Sequence, residues 1–154
     1  MTNQHKILFP IDFSECSSPL VADVLDFASK FQSEIHLVYV VRTFAYYATI
    51  NIYPTYIQSI EDAVMAGSKK SMEDFKNAHF ANYSKLEHSI LYGDASEEIV
   101  RYAKVHTIDL IIMGTHGRKA LEKLLMGSVA QRVIQSSPIP VLTINPYLRE
   151  KRSE

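Results

Sequence analysis

The residues best suited to chemistry are small ones in the second half of the chain. They are Gly114, Gly117, Gly127 and Ser128, which follow the spacing Gly-x2-Gly-x9-Gly-Ser. Gly114 allows the backbone to turn sharply and approach a ligand, and Gly117 permits a positive φ and presents its N–H group without a side chain in the way. Gly127 and Ser128 open a predicted helix, whose free N–H groups and dipole favour phosphate oxygens. The spacing therefore predicts an anion-binding concavity.

The surroundings of these glycines bear on how specific the pattern is. Taken alone, Gly114 would simply end a strand and Gly117 would simply form a turn. In this chain the pattern follows an apolar run at 110–113, ends at a predicted helix start and encloses Arg118 and two lysines. That context favours the phosphate-binding interpretation.

Apolar runs and helical spacings alternate along the chain and predict the elements that carry this pattern. Strands are expected near residues 7–11, 35–41, 86–91, 110–113 and 141–144. Helices are expected from residue 18, at 57–81, from residue 95 and at 128–135. The inner strands are continuous apolar runs, which is typical of a parallel sheet covered by helices on both faces. We therefore expect one α/β domain over residues 1–148 and a charged tail at 149–154.

Two helix starts carry their own signals. Ser18 is followed by Pro19, which predicts a side-chain cap with proline in the first turn. Asp94 stands three residues before Glu97, which predicts a capping box with Asp in place of Ser or Thr.

Ligands of open parallel sheets bind beyond the carboxyl ends of the strands, where the strand order reverses. Pro10 and Asp12 close the first predicted strand, and Val40 lies near the end of the second. We expect these residues to join the glycine segment around a ligand. A cap on the following turn is the alternative role for Asp12.

Composition limits the classes of partner. The net charge is −1, so no overall field draws the protein to nucleic acid or anionic lipid. The single cysteine excludes an internal disulfide. The start lacks a secretory signal pattern, and no apolar run reaches the roughly 20 residues that a membrane helix needs. We expect a cytoplasmic protein that binds neither nucleic acid nor a membrane.

Several stretches resemble the universal stress protein family. They are KILFPIDFS at 6–14, DLIIMGTHGR at 109–118, GSVAQRVI at 127–134 and SPIPVL at 137–142. The resemblance spans the chain, although residues 42–83 carry no specific motif and FPID replaces the common pattern VxVD. It implies an open five-stranded parallel sheet in the order 3-2-1-4-5 with helices on both faces (adenine nucleotide alpha hydrolase-like), and a homodimer.

The resemblance also implies a ligand. Family members with the full glycine motif bind ATP, whereas a second branch lacks the motif and does not bind ATP. By position, Asp12 and Val40 would face adenine and ribose, with Pro10 and Met113 lining that side and Gly114 near the ribose. The residues that would face the phosphates are Gly117, Gly127, Ser128 and Val129. AMP or ADP in place of ATP, and an accompanying Mg²⁺, are left open.

Other residues have plainer roles in this interpretation. His116 is expected to be an exposed loop histidine without a catalytic role, and Cys16 to be inert. Arg118 either pairs with a phosphate or is a solvated charge. The tyrosine-rich segment 42–56 is expected to pack on the second main helix, with a lid over adenine or a partner surface as alternatives.

The pattern favours binding over catalysis. There is no G-x4-G-K-[ST] loop, and no base is recognisably placed to orient an attacking water. The sequence therefore predicts a nucleotide-binding regulator of a stress response. A slow ATPase or autophosphorylating enzyme, and a partner-binding module with a vestigial pocket, are the rivals. The last strand, Val141–Ile144, is expected to form the homodimer because it is an apolar sheet edge.

Overall fold

The computed structural model describes residues 5–42, 54–117 and 125–149 of the chain. Strands and helices alternate along it, as the apolar runs predict. The strands are β1 (Lys6–Ile11), β2 (Glu34–Val41), β3 (Leu86–Tyr92), β4 (Leu110–Gly114) and β5 (Val141–Ile144). The α-helices are α1 (Val21–Phe31), α2 (Pro54–His79), α3 (Ala95–Val105), α4 (Ser128–Ser136) and α5 (Pro146–Arg149).

The strands form one parallel sheet in the order β3-β2-β1-β4-β5, which confirms the predicted topology. Successive side chains of a strand point to opposite faces, so Phe9 and Leu8 enter different layers of the core. Phe9 packs with residues of α1 and α2, and Leu8 packs with residues of α3 and α4. Both faces are therefore covered, which explains why the inner strands are apolar throughout.

The central strand separates from one neighbour before it ends. Pairing between β1 and β4 covers Ile7 and Leu8, whereas pairing between β1 and β2 continues to Ile11. The Lys6 carbonyl accepts from the β4 side, so by alternation the nitrogen of Pro10 faces β4 as well. Because proline has no N–H to donate, the ladder is not extended there. The sheet therefore opens between the carboxyl ends of β1 and β4.

The two predicted helix caps have different outcomes. Oδ1 of Asp94 accepts from the Glu97 N–H at 3.1 Å, which confirms that Asp94 caps α3. The prediction that Ser18 caps a helix is wrong, because Ser18 begins a 3-10 turn, and α1 starts only at Val21 without a side-chain cap. The Ser18 hydroxyl instead lies 3.4 Å from Nε2 of His79 in α2.

The second main helix starts earlier and ends earlier than the periodicity predicts, at Pro54 and His79. Most of the tyrosine-rich segment, residues 43–53, lies outside the described residues, so its packing stays a prediction. The same holds for the tail beyond Arg149, a residue that ends the short helix α5. Within the described ranges, none of the helices combines the length and the apolar character needed to cross a membrane.

Candidate functional site

A cavity of about 440 Å³ lies at the carboxyl ends of the central strands, where the sheet opens. One part of its wall is apolar and comes from β2, α2, α3 and β4. These residues are Val38, Val40, Val41, Val64, Ile99 and Met113. The other part is polar or bare backbone and comes from the loops after β1 and β4 and from the start of α4. These residues are Asp12, Thr115, Gly117, Gly127 and Ser128.

Every predicted site residue within the described ranges lines this cavity. The set is Pro10, Asp12, Val40, Met113, Gly114, Gly117, Gly127, Ser128 and Val129. Arg118 lies outside the described residues, so its pairing with a phosphate stays a prediction. Residues more than a hundred positions apart thus meet at one edge of the sheet, as the parallel topology requires.

The glycine loop and the start of α4 are held against each other. The Gly127 N–H donates to the Thr115 carbonyl at 2.6 Å, and a Cβ on Gly127 would lie only 3.2 Å from that oxygen. The Thr115 N–H donates in turn to the Ile144 carbonyl of β5 at 2.9 Å. The hydrogen bond between Gly127 and Thr115 therefore joins the loop after β4 to the start of α4, and we call this backbone arrangement the cradle.

Gly117 is required for a reason other than the predicted one. Gly117 does not use the positive φ that a glycine permits, because Gly93 is the glycine of the described residues with that conformation, at 137°. A Cβ on Gly117 would instead lie 2.5 Å from Oδ2 of Asp12. The residue is small because a carboxylate stands against its backbone.

The Asp12 carboxylate caps the turn after β1 and borders the cavity. Its Oδ1 accepts from the Ser14 N–H at 3.0 Å, the Ser14 hydroxyl at 2.5 Å and the Ser17 hydroxyl at 3.0 Å. Phe13, between Asp12 and Ser14, has a φ of 58°, a conformation that is uncommon outside glycine. The turn-capping alternative is thus correct for Oδ1, and Oδ2 is the atom beside Gly117.

The start of α4 offers free backbone donors to the cavity. Gly127 is its N-cap, with an extended conformation and no side-chain cap, and the Gln131 N–H makes a backbone hydrogen bond to the Gly127 carbonyl at 3.1 Å. The N–H groups of the first turn, from Ser128 to Ala130, have no acceptor within the helix. Ser128, Val129 and Ala130 all line the cavity, so this end of the site attracts anions.

His116 differs from its prediction. It is 7% exposed, so the expected exposed loop histidine is buried. Its Nδ1 lies 2.7 Å from the Thr115 hydroxyl, and its ring stands edge-on to that of Tyr147 in α5, with 5.1 Å between ring centres. Nε2 is buried without a hydrogen-bond partner in the described structure. The C-terminal helix, which the sequence motifs do not include, covers this ring.

Much of the apolar wall was not predicted. Val38 and Val41 were assigned only to the core of β2, and Val64, Ala95 and Ile99 were assigned to helices without a link to the site. The positions of Val38 and Val41 near the end of β2, next to Val40, were an available signal. The contributions of α2 and α3 depend on how those helices pack, which no local pattern encodes.

An open parallel sheet with a glycine-lined cavity at its point of strand-order reversal defines a doubly wound α/β ligand-binding fold. A sequence profile of the universal stress protein family matches residues 4–145, and the chain belongs to that family.

Relatives of known structure share the whole architecture. Universal stress protein MJ0577 of Methanocaldococcus jannaschii is 28% identical over 151 residues, which cover 90% of this chain and 93% of the relative. Its solved structure superposes with a TM-score of 0.79 at 31% identity, over 91% of this chain and 94% of that one. Universal stress protein UspA from Lactobacillus plantarum has a TM-score of 0.76 at 27% identity, over 94% and 99% of the two chains.

A more distant relative has been solved with a ligand. It is the universal stress protein from Archaeoglobus fulgidus in complex with dAMP, with a TM-score of 0.63 over 94% of this chain and 99% of that one. At 16% identity this likeness shows the fold alone.

Proposed function

We propose that this protein binds an adenine nucleotide, in the first place ATP, and that nucleotide occupancy makes it a sensor or regulator in a stress response. The observation that carries the proposal is the division of one cavity into an apolar wall and an end of bare amides. A nucleotide is divided in the same way, into a flat base and a charged phosphate chain.

The apolar wall suits the base and sugar. Val40, Val41 and Met113 offer aliphatic surface, and Asp12 at the edge of that surface provides a carboxylate oxygen that accepts hydrogen bonds from amino or hydroxyl groups. The volume of about 440 Å³ lies within the range of small-molecule sites, roughly 300–1,000 Å³.

The amide end suits the phosphates. A Cβ at Gly117 would press on the Asp12 carboxylate and one at Gly127 on the Thr115 carbonyl, so both residues line the cavity with backbone and add no side chain to it. The first turn of α4 adds free N–H groups and the Ser128 hydroxyl. The dAMP complex of the Archaeoglobus fulgidus protein shows that this fold can hold an adenine nucleotide, and the present cavity supports extending that property to this chain.

Magnesium would depend mainly on the nucleotide. Mg²⁺ at such sites is held by substrate phosphates and one or two carboxylates. Asp12 is the only carboxylate among the described residues that line the cavity, and its Oδ1 already accepts from Ser14 and Ser17. We therefore propose no metal site built by the protein alone.

Regulation would follow from differential affinity. A ligand shifts a conformational equilibrium only as far as it prefers one state over the other. The cradle joins the loop after β4 to β5 through the hydrogen bond between Thr115 and Ile144. Occupancy would therefore act on β5, the strand proposed for the homodimer, and through it on partners.

The homodimer proposal rests on the free edge of β5. The carbonyl of Pro140 accepts from Ile111 of β4 and that of Ile144 from Thr115 directly after β4, so by alternation the N–H groups of Val141 and Thr143 point away from the sheet. An apolar edge with outward donors is able to pair with a second copy of itself. The cytoplasmic location stays a prediction.

The deciding experiment identifies the ligand. Protein purified without added nucleotide is denatured and its released small molecules are identified by mass spectrometry, and nucleotide-free protein is titrated with ATP, ADP and AMP by calorimetry. We expect an adenine nucleotide in the first measurement and tightest binding of ATP in the second. Absence of nucleotide together with no heat from any of the three would overturn the proposal and favour the vestigial-pocket module. Conversion of ATP to ADP that disappears in Gly127→Val would favour the enzyme.

A further inference from the structure

Tyr147 in the short C-terminal helix α5 touches two of the loops that wall the cavity. Its ring meets the ring of His116 in the glycine loop, with ring centres 5.1 Å apart and planes at 72°. Its hydroxyl accepts from the Cys16 thiol, in the loop after β1, at 3.6 Å. His116 and Cys16 both line the cavity. One side chain thus bridges the two sides of the opening between β1 and β4.

The position of Tyr147 is fixed by its own helix. The Tyr147 N–H donates to Oδ1 of Asn145 at 3.0 Å, which starts the turn directly after β5. Ile144, the last residue of β5, directly precedes Asn145, and its carbonyl accepts from the Thr115 N–H. The tyrosine is therefore anchored to the end of β5, next to the loop that its ring covers.

This contact lies outside the shared motifs. The family profile ends at residue 145, so α5 follows the matched region. His116 is buried, and its Nε2 has no hydrogen-bond partner among the described residues. Because a buried polar atom without a partner is unfavourable, packing must hold the ring in this position. The aromatic contact with Tyr147 supplies that packing.

We infer that Tyr147 is a positioning residue, which latches the glycine loop to the loop after β1 and so fixes the distance across the cavity. Because Asp12 belongs to one loop and Gly117 to the other, a loosened latch would let these two ligand-facing groups move apart. The expected effect of Tyr147 on nucleotide affinity rests on the proposed function, whereas its expected effect on the two loops does not.

The test compares three variants. Tyr147→Ala removes the ring, Tyr147→Phe keeps the ring and removes the hydroxyl, and Leu148→Ala truncates the neighbouring side chain, which is 58% exposed. Amide hydrogen exchange is measured by mass spectrometry on peptides that cover residues 12–20 and 110–117, without nucleotide. ATP affinity is measured by calorimetry, and the unfolding midpoint is recorded for each variant.

We expect Tyr147→Ala to exchange faster than the wild type in both peptides and to bind ATP about tenfold more weakly, as an aromatic contact of this kind allows. Tyr147→Phe should bind ATP within about threefold of the wild type, and Leu148→Ala should match the wild type in both measurements. If Tyr147→Ala is too unstable to purify, Tyr147→Leu replaces it with the same expectations.

Two outcomes are distinguishable. If the wild type fails to bind ATP, the proposed function fails, while the exchange data still decide whether Tyr147 holds the loops. If exchange in both peptides is the same in Tyr147→Ala and Leu148→Ala, the latch is overturned, whatever the affinity for ATP.

Discussion

Gly117 and Asp12 stand so close that a Cβ on the glycine would lie 2.5 Å from the carboxylate oxygen Oδ2. The carboxylate cannot simply withdraw, because its other oxygen accepts from Ser14 and Ser17. Gly117 of the glycine motif and Asp12 at the end of the first strand therefore constrain each other sterically. A side chain at 117 would force either the Asp12 carboxylate or the loop after β4 to shift, and both border the cavity.

Substitution at Gly117 should weaken nucleotide binding and leave the fold intact. In Gly117→Ala the new methyl group forces Asp12 or the loop to shift, and we expect ATP affinity to fall at least about tenfold. Gly67→Ala is the matched control, because Gly67 lies inside α2 with nothing within 4 Å of an added Cβ. The control should keep the wild-type affinity and gain about 0.5–1 kcal/mol of stability. Calorimetry and urea unfolding measure both; equal ATP affinity in the two variants would contradict the steric argument.

Removal of the Asp94 cap should destabilise the protein. Asp94 accepts from the Ser96 hydroxyl at 2.6 Å, the Glu97 N–H and Arg132 of α4 at 2.8 Å. Asp94→Ala loses all three and should lower the free energy of unfolding by about 1 kcal/mol. Asp94→Asn keeps the acceptor for Glu97 and should cost less. Urea unfolding at pH 7 compares the variants, and an alanine variant as stable as the wild type would refute the cap.

Acid should abolish the advantage of the charged cap. The Ser96 hydrogen bond first, then those from Glu97 and Arg132, hold the pKa of Asp94 at about 2, below its ordinary 3.8. A group with a depressed pKa contributes stability above its unfolded value and loses it as pH falls through the folded value. The difference between wild type and Asp94→Asn should therefore persist at pH 5 and shrink between about pH 4 and 2. Because the side chain is 40% exposed, the effect is small and falls with salt.

Mild acid should destabilise the protein through His36. This buried side chain contacts Glu34 at 2.6 Å and the Tyr102 hydroxyl at 2.9 Å, and burial lowers its pKa below 6.5 despite Glu34. The charges of Lys6 and His106 act in the same direction. The folded state thus favours the neutral imidazole, so stability is full above pH 6.5 and declines as pH falls below it.

The measurement for His36 is the free energy of unfolding between pH 7.5 and 5.5. Wild type should lose stability across this interval faster than His36→Gln, which cannot titrate. The two proteins share every other titratable group, so the difference between the two curves isolates His36. Parallel curves would show that its protonation is not linked to folding.

A proline on the outer edge of β5 should dissociate the proposed dimer. Thr143→Pro removes an outward N–H and leaves the carbonyls of Pro140 and Ile144 in place for β4. We expect the wild type to sediment as a dimer at micromolar concentration, Thr143→Val to do the same, and Thr143→Pro to sediment as a monomer. A monomeric wild type would contradict pairing through this edge. So would a proline variant that dimerises with the same affinity between its subunits as the wild type.

The parts of the site that follow a local rule could be predicted from the sequence. Parallel strands must end at one edge, so Asp12, Val40 and Gly114 were assigned to one site from their positions after apolar runs. The parts that depend on distant packing could not. Phe13 adopts its unusual backbone conformation while its ring packs on Tyr39, with 4.5 Å between ring centres, and no local propensity predicts that.

Two differences between the sequence interpretation and the structure have the same origin. His116 was expected to be exposed because it stands between glycines, and its burial depends on Tyr147 about 30 positions further along the chain. Gly117 was interpreted as a position where glycine permits a positive φ, but its constraint comes from Asp12, which is remote in sequence. In both cases the residue type marked an important position, but the reason for that residue type was a contact with a residue that is distant in the sequence.

The early separation of β1 from β4 has one more consequence. The opening between them follows from the route of the chain and from Pro10, which cannot extend the ladder to β4. Replacing Val40, Val64 or Met113 should therefore change which ligand fits the apolar wall and leave the short pairing of β1 with β4 as it is, which makes these positions a starting point for redesigning ligand selectivity.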